Sequence, residues 1–236
     1  MKYVILIPIY NDRESLKTLI ENINTEIKDL NSEISIIIIN DASSQQIIDT
    51  YSNIENLLSF EIINMKEKRG HTRCIASGLK YIFEKREFDY VIPMDGDGED
   101  RPEEIKNFIK VAEQSGEKSI VGERVKRSEG LFFQLCYQFH KFLTLAFTGQ
   151  SIKFGNFTCL SRSTIKKLLD EKATWNSFSG SLKKIEKNLL SIPSIRGQRY
   201  FGPSKMSFFN LLKHSMSIIS VFRKIVLIRS ALFIIF

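Results

Sequence analysis

Cysteine is scarce in this chain, and acid is missing altogether from one end of it. The three cysteines (Cys74, Cys136 and Cys159) stand at unrelated spacings in 236 residues. That excludes a disulfide framework and a thiolate zinc site, and it fits a reducing compartment. Internal repeats and low-complexity linkers are absent too. The opening MKYVILIPIYNDRE has too short an apolar run, too soon followed by charge, for a secretory signal. After Glu186 there is no Asp or Glu, while Lys187, Arg196, Arg199, Lys205, Lys213, Arg223, Lys224 and Arg229 follow. The net charge of +7 therefore resides in about the last fifth of the chain, which points to a local anionic partner. No nucleic-acid motif accompanies these cations, so nucleic acid is not the expected partner.

What is present is an ordinary globular composition, 43% hydrophobic and 26% charged, on a chain long enough to bury a core. Apolar runs predict strands at Lys2–Ile7, Ile34–Ile39, Phe60–Ile63, Tyr90–Met94 and Lys118–Val121. Helical spacing predicts helices at Arg13–Leu30, Gln45–Leu58, Thr72–Lys85 and Pro102–Gln114. Such alternation implies an α/β fold with a mostly parallel sheet and right-handed crossovers. Further on, Gly155–Leu160 reads as a strand, and Leu131–Phe147, Arg162–Leu169 and Ser207–Lys224 as helices. Ligands of open parallel sheets bind beyond the carboxyl ends of the strands. Those ends carry Pro8-Ile9-Tyr10-Asn11-Asp12, Asn40-Asp41-Ala42-Ser43, Lys68-Arg69-Gly70-His71 and Asp95-Gly96-Asp97.

The last of these belongs to YVIPMDGDGEDRPEEI, residues 90–105, which packs four acids into six positions. Asp and Gly are common turn residues, so a solvated turn accounts for the segment. Asp-x-Asp at the mouth of a buried strand equally suits a hard divalent cation with oxygen ligands. The spacing does not fit an EF-hand loop. Read by themselves, the residues leave both possibilities open.

Four segments taken together change the weighting: VILIPIYNDRESLKTLI, IIIINDASS, RGHTRCIASGLKYI and YVIPMDGDGEDRPEEI. In that order and at those spacings they resemble the family 2 glycosyltransferases, whose nucleotide-sugar-binding fold is called GT-A. The resemblance implies that Pro8, Tyr10, Asp12, Asp41, Gly70, Arg73 and Asp95 border the nucleotide-sugar. It also implies that Asp95, Asp97 and Glu99 hold Mg²⁺ or Mn²⁺ against the diphosphate. Asn40 and Ala42 depart from the usual acid and glycine around Asp41. The three histidines, His71, His140 and His214, read as ordinary polar or interface residues.

The C-terminal half, RYFGPSKMSFFNLLKHSMSIISVF, resembles the R-x-x-G-x-S-K segment of polyprenyl-phosphate sugar transferases, the group of dolichol-phosphate mannose synthase. Arg199, Gly202, Ser204 and Lys205 carry that match, and Gly155, Phe157 and Arg162 fit the preceding block, where Lys153 replaces an expected acid. The resemblance implies an inverting transferase moving a sugar from a nucleotide donor to a polyprenyl phosphate at the cytoplasmic face of a membrane. Asp95, Asp97, Arg124 and Lys205 are then the expected catalytic residues, and Arg124, Arg127, Arg199, Ser204 and Lys205 the acceptor-phosphate cradle. A sugar-hydroxyl acceptor is the alternative, with Asp12, Glu99 or Asp100 as base, and a non-enzymatic membrane-binding module is the other. The expected organisation is a GT-A unit over 1–206, with a donor half 1–125 and an acceptor half 126–206. Residues 207–236 follow as an amphipathic juxtamembrane helix, with IVLIRSALFIIF the expected start of a membrane segment.

Overall fold

The computed structural model describes residues 1–45, 54–126, 138, 142–203 and 208–235. Four strands build its parallel half: β1 (Lys2–Ile9), β2 (Glu33–Asn40), β3 (Ser59–Asn64) and β4 (Tyr90–Pro93). They pair parallel, with Ile5 opposite Ile36 on one side and Ile92 on the other. Three further strands, β5 (Ile120–Lys126), β6 (Phe154–Ser161) and β7 (Leu190–Ile195), complete a seven-stranded sheet in the order β3-β2-β1-β4-β6-β5-β7. Strand β6 runs antiparallel between β4 and β5, and β7 pairs parallel with β5. The C-terminal half is thus woven into the same sheet that carries the N-terminal motifs.

The alternation of strand side chains places a core on each face. Tyr3, Ile5, Ile7 and Ile9 pack with Leu16, Leu19 and Ile20 of helix α1 (Arg13–Glu26) and Phe108 of α3 (Ile105–Ser115). On the opposite face, Val4 and Leu6 pack with Ile75 and Leu79 of α2 (His71–Lys85) and Leu168 of α4 (Arg162–Asp170). Burial of such side chains stabilises by about 1.5–3 kcal/mol each. The sheet is therefore a rigid base for the loops at its rim.

Several expectations change at the periphery. Residues 54–58 of the expected Gln45–Leu58 helix form a turn, with the Leu58 N–H donating to the Ile34 carbonyl at 2.8 Å; residues 46–53 lie outside the described residues. Of Leu131–Phe147, residues 142–147 are helical, in a helix that runs on to 148, and most of the rest lies outside the described residues. Helix α5 (Phe178–Ile185) and edge strand β7 were not expected. The C-terminal region forms two helices, α6 (Phe208–Val221) and α7 (Arg223–Ile235). Ser215, Ile218 and Val221 of α6 are buried, while Phe209, Leu212 and Met216 on other faces are exposed, so apolar residues lie on more than one side. Among the described residues no helix is long and apolar enough to cross a membrane. Arg229, which interrupts IVLIRSALFIIF, donates from its guanidinium to the carbonyls of Leu145 (3.3 Å) and Ala146 (3.0 Å), tying α7 to the 142–148 helix.

Candidate active site

The carboxyl ends of β1, β2 and β4 meet at one rim, and backbone conformation there is unusual. Asn11 and Ala42, just past β1 and β2, both have positive φ, +48° and +54°. Asparagine tolerates this region. Here its side-chain oxygen accepts from the Ser44 N–H (2.9 Å), which binds the two loops together. Ala42 has no such compensation, and the conformation explains why a glycine suits its position.

Asp41 is buried, and both its oxygens accept backbone N–H groups from the β3–α2 loop, Arg69 at 2.6 Å and Gly70 at 2.8 Å. It therefore fastens the loop that leads into α2. Gly70 has φ +90° at the helix N-cap, and Arg73 is exposed on the first turn. Pro8 is buried in β1, while Tyr10 is partly exposed with the Lys68 ammonium 3.6 Å over its ring.

The acidic loop after β4 carries cationic or N–H partners at each acid. Asp95 Oδ1 accepts from Asn156 Nδ2 at 3.2 Å and faces His71 Nε2 at 3.2 Å, and those two nitrogens are 2.8 Å apart. The Asp95 backbone N–H donates to Asp100 Oδ2 at 2.9 Å, and Asp100 Oδ1 lies 3.9 Å from Arg124. Gly155 leaves room for Arg124, since a Cβ there would stand 2.9 Å from its guanidinium. Asp97 Oδ2 is 2.6 Å from Arg199, whose other nitrogen pairs with Asp12, and Glu99 pairs with Arg196.

These contacts set the protonation of the loop. For Asp95, burial favours the neutral acid. The His71 charge, then Arg124 and the Asn156 hydrogen bond, outweigh it and hold the group below the usual carboxylate range. His71 is correspondingly raised: burial opposes its charge, but Asp95 overcomes that. Burial, then the charge of Asp95, pushes Asp100 up to about 7; burial, Asp95 and Glu99 push Asp97 up to about 6. His214 of α6 stands in the same field, lowered first by burial and then by His71 and Arg124. The two described cysteines, Cys74 and Cys159, are buried free thiols, Cys74 pushed up to about 12 by burial and then by Asp41.

Of the expected site residues, the structure gathers Pro8, Asp12, Asp41, Gly70, Asp95, Asp97, Glu99, Arg124 and Arg199 at this rim. Arg127, Ser204 and Lys205 lie outside the described residues. Among the described residues no three His, Cys, Asp or Glu side chains converge as a ready-made metal site. The donor chemistry nonetheless fits a hard cation, because Asp12 and Asp97 share one positively charged partner and offer only oxygen. His71, Asn156 and Arg196 were not expected here. Their neighbours in sequence, Gly70, Gly155 and the R-x-x-G segment, were the available signal.

A mostly parallel sheet with an acidic loop at its carboxyl rim defines an α/β fold whose ligand site lies at that rim. The model for "Glycosyl transferase family 2" matches residues 4–169, and the chain belongs to that family. Among curated proteins it is similar to the undecaprenyl-phosphate 4-deoxy-4-formamido-L-arabinose transferase of Photorhabdus laumondii. The two are 28% identical over 227 residues, covering 89% of this chain and 65% of that protein. The enzyme of the same description from Proteus mirabilis is 27% identical, over 89% and 64%. The chain thus spans less than two thirds of the length of these relatives, 65% and 64%. Among solved structures, glucosyl-3-phosphoglycerate synthase from Mycobacterium tuberculosis, in complex with Mn²⁺, UDP-glucose and phosphoglyceric acid, aligns with TM-score 0.65. The identity is 13%, over 95% of this chain and 79% of that one. Mannosyl-3-phosphoglycerate synthase from Rubrobacter xylanophilus aligns with TM-score 0.64 at 13% identity, over 95% and 73%. At these identities the likeness establishes the GT-A fold.

Proposed function

We propose that the protein transfers a sugar from a nucleotide-sugar donor to a polyprenyl phosphate, with inversion, at the cytoplasmic face of a membrane. The observation that carries this reading is the meeting of arginines with the acidic loop. Arg196 and Arg199, from the C-terminal half, reach Glu99, Asp97 and Asp12 at the donor rim, and Arg124 faces Asp100. A sugar hydroxyl must lose a proton as it attacks and asks for a positioned base. A lipid phosphate is already anionic and asks for cations. The description of the P. laumondii relative, a transferase for undecaprenyl phosphate, supports the same choice.

In this reading Asp41 holds the 69–70 loop beside the nucleotide, with Pro8, Tyr10 and Arg73 along its border. Asp95, Asp97 and Glu99 would hold Mg²⁺ or Mn²⁺, with Asp12 drawn beside Asp97 by Arg199. When bound, such an ion neutralises the diphosphate as negative charge develops on the leaving group. His71 and Asn156 fix the Asp95 carboxylate toward the donor. Arg124 and Arg127 of VGERVKR, with Arg199, Ser204 and Lys205 of the R-x-x-G-x-S-K segment, would orient the acceptor phosphate for attack from the opposite face of the sugar. The exposed apolar residues of α6 and α7, with Lys213, Arg223 and Lys224, would rest on the membrane that contains the acceptor.

The test supplies the protein in detergent with undecaprenyl or dolichyl phosphate, Mg²⁺ or Mn²⁺, and labelled UDP-, GDP- and dTDP-sugars, followed by solvent extraction. Label is expected in a lipid monophosphate-sugar and is expected to fall at least 100-fold in Asp97→Asn, the order of effect of removing an electrostatic stabiliser. Donor turnover without lipid labelling would transfer the assignment to a hydroxyl acceptor.

A further inference from the structure

Trp175 is the single tryptophan of the chain. Tryptophan is strongly buried on average, yet this one is 39% exposed. It closes a short 3-10 turn, Lys172–Trp175, between α4 and α5. The turn is held firmly from beneath. Thr174 is buried, and its hydroxyl donates to the carbonyl of Leu168, a core residue of α4, at 2.7 Å. Glu171 accepts the Ala173 N–H at 3.0 Å and pairs with Lys184 at 2.6 Å. The Asn176 and Ser177 N–H groups both donate to the Ala173 carbonyl at 2.9 Å. The partly exposed ring therefore stands on backbone that is already ordered.

One exposed ring alone needs no explanation, but a contact next to it puts this one at the end of a stripe. Asn176 Nδ2 donates to Ser220 Oγ of α6 at 2.9 Å. Ser220 is exposed, and stepping back along α6 by four, four and three residues gives Met216, Leu212 and Phe209, exposed as well. Residues at those spacings share one face of a helix. The opposite side of α6 is buried on α5, where a Cβ at Gly180 would stand 3.1 Å from Val221. The exposed stripe thus ends beside the turn that carries Trp175. Lys213, four residues past Phe209, is exposed on the same face, and Arg223 and Lys224 are exposed just beyond Ser220. Beside the ring, exposed Lys172 and Asp170 offset each other, so the turn's own contribution is apolar.

We propose that Trp175 is an interfacial anchor, entering the headgroup–acyl boundary of an anionic lipid surface in line with Phe209, Leu212 and Met216. The inference rests on the membrane contact proposed above for α6 and α7. An indole suits that boundary, because its ring is apolar and its N–H still finds a polar partner there. The flanking cations match anionic headgroups. A helix that lies on a surface by one stripe remains free to rock about its own axis. A second contact, from a turn built onto the core helix α4, removes that freedom. The sheet, and with it the rim at the ends of β1, β2 and β4, is then held at a fixed tilt to the surface. Because the turn is ordered before it binds, little conformational entropy is lost on contact.

A single tryptophan lets the wild type report on itself. Its emission is followed with vesicles of equal phosphatidylcholine and phosphatidylglycerol, plain or brominated near the carbonyl or the methyl end of the acyl chains. Binding should shift the emission to the blue and shield the ring from aqueous acrylamide. Bromines near the carbonyl end should quench about twofold more than those near the methyl end, as for a ring at the boundary. Trp175→Ala should bind these vesicles about tenfold more weakly, and Trp175→Phe, which keeps part of the apolar area, should fall between. Vesicle binding that leaves the emission and the acrylamide access unchanged overturns the anchor and leaves the membrane contact of α6 and α7 standing. Equal or stronger quenching from the methyl end overturns the interfacial placement. A blue shift that appears without lipid and grows with protein concentration assigns the ring to a second copy of the chain instead. Failure to bind any vesicle overturns both the anchor and the membrane contact on which it rests.

Discussion

Asp97 and Asp100 sit near 6 and 7, well above the ordinary carboxylate value of about 4. A carboxyl whose folded pKa is raised favours the folded state most when it is protonated in both states. That contribution is lost as pH rises through the folded value. The raised His71 acts in the same direction, since its charged form is the one the fold prefers. The depressed Asp95, Glu171 and Glu186 act below the usual carboxylate range and leave this window alone, while the lowered His214 opposes the trend up to its ordinary value of about 6.5, one titration against three. The metal-free protein is therefore expected to lose thermal stability between pH 5 and pH 8, read as a falling melting midpoint in the presence of a chelator. Asp100→Asn keeps an oxygen for the Asp95 N–H but removes one titration, and should flatten the curve. A midpoint that rises over this range would contradict the protonation assigned to the loop. At the same scale, Asn156 donates to Asp95, and in the proposed reading it positions that carboxylate for the donor. Asn156→Ala should lower kcat/KM for the nucleotide-sugar by about 10–100-fold, the usual cost of an outer-shell partner. Asn156→Asp, which sets a like charge beside Asp95, should be worse.

At the scale of elements, legibility followed burial. Strands β1, β2 and β4 and helices α1, α2 and α4 announce themselves because their apolar residues face a core on one or both sides, while edge strand β3, with no residue fully buried, is legible from the apolar run Phe60–Ile63 that packs partly against the core. Strand β7 does not: it is an edge strand carrying Pro193, with only Ile192 and Ser194 buried. Helix α6 was legible as a helix, but its exposed Phe209, Leu212 and Met216 show that apolar character alone does not tell a buried face from an outward one. The acids of the site were legible because they cluster within six positions. Their partners were not, since Arg199 and Asp12 stand 187 residues apart and a sequence does not display pairing at that range. The 196–200 segment makes a testable element. Gly98 has φ +87°, which a side chain resists, and an added Cβ would also collide with Tyr200. Gly98→Ala should therefore lift the segment, and trypsin should cut at Arg196 and Arg199 several times faster than in the wild type. Unchanged cleavage would mean that the segment is held by contacts other than those with the loop.

At the scale of the whole molecule, the basic end divides into two populations. Arg196 and Arg199 turn inward to the acids, and Arg229 caps carbonyls of the 142–148 helix, whereas Lys213, Arg223 and Lys224 stay exposed. The outward cations share α6 and α7 with exposed Phe209, Leu212, Met216, Leu227, Ile228 and Leu232, and Phe142 and Leu145 are exposed on the helix that Arg229 ties to α7. Apolar residues supply adhesion to an acyl boundary, and each nearby cation adds about 1 kcal/mol toward an anionic surface. Vesicle flotation separates the two contributions. Binding to vesicles with anionic lipid should weaken with salt, and Lys213→Ala, Arg223→Ala and Lys224→Ala combined should reduce it by about 100-fold, three such increments at roughly tenfold per 1.4 kcal/mol. Leu227→Ser with Ile228→Ser should lower binding to neutral vesicles as well, because that loss is apolar area and not charge. If the wild type fails to float with any lipid and instead runs as a dimer that the serine variant dissociates, this surface meets another copy of the chain, and the acceptor must reach the site without it.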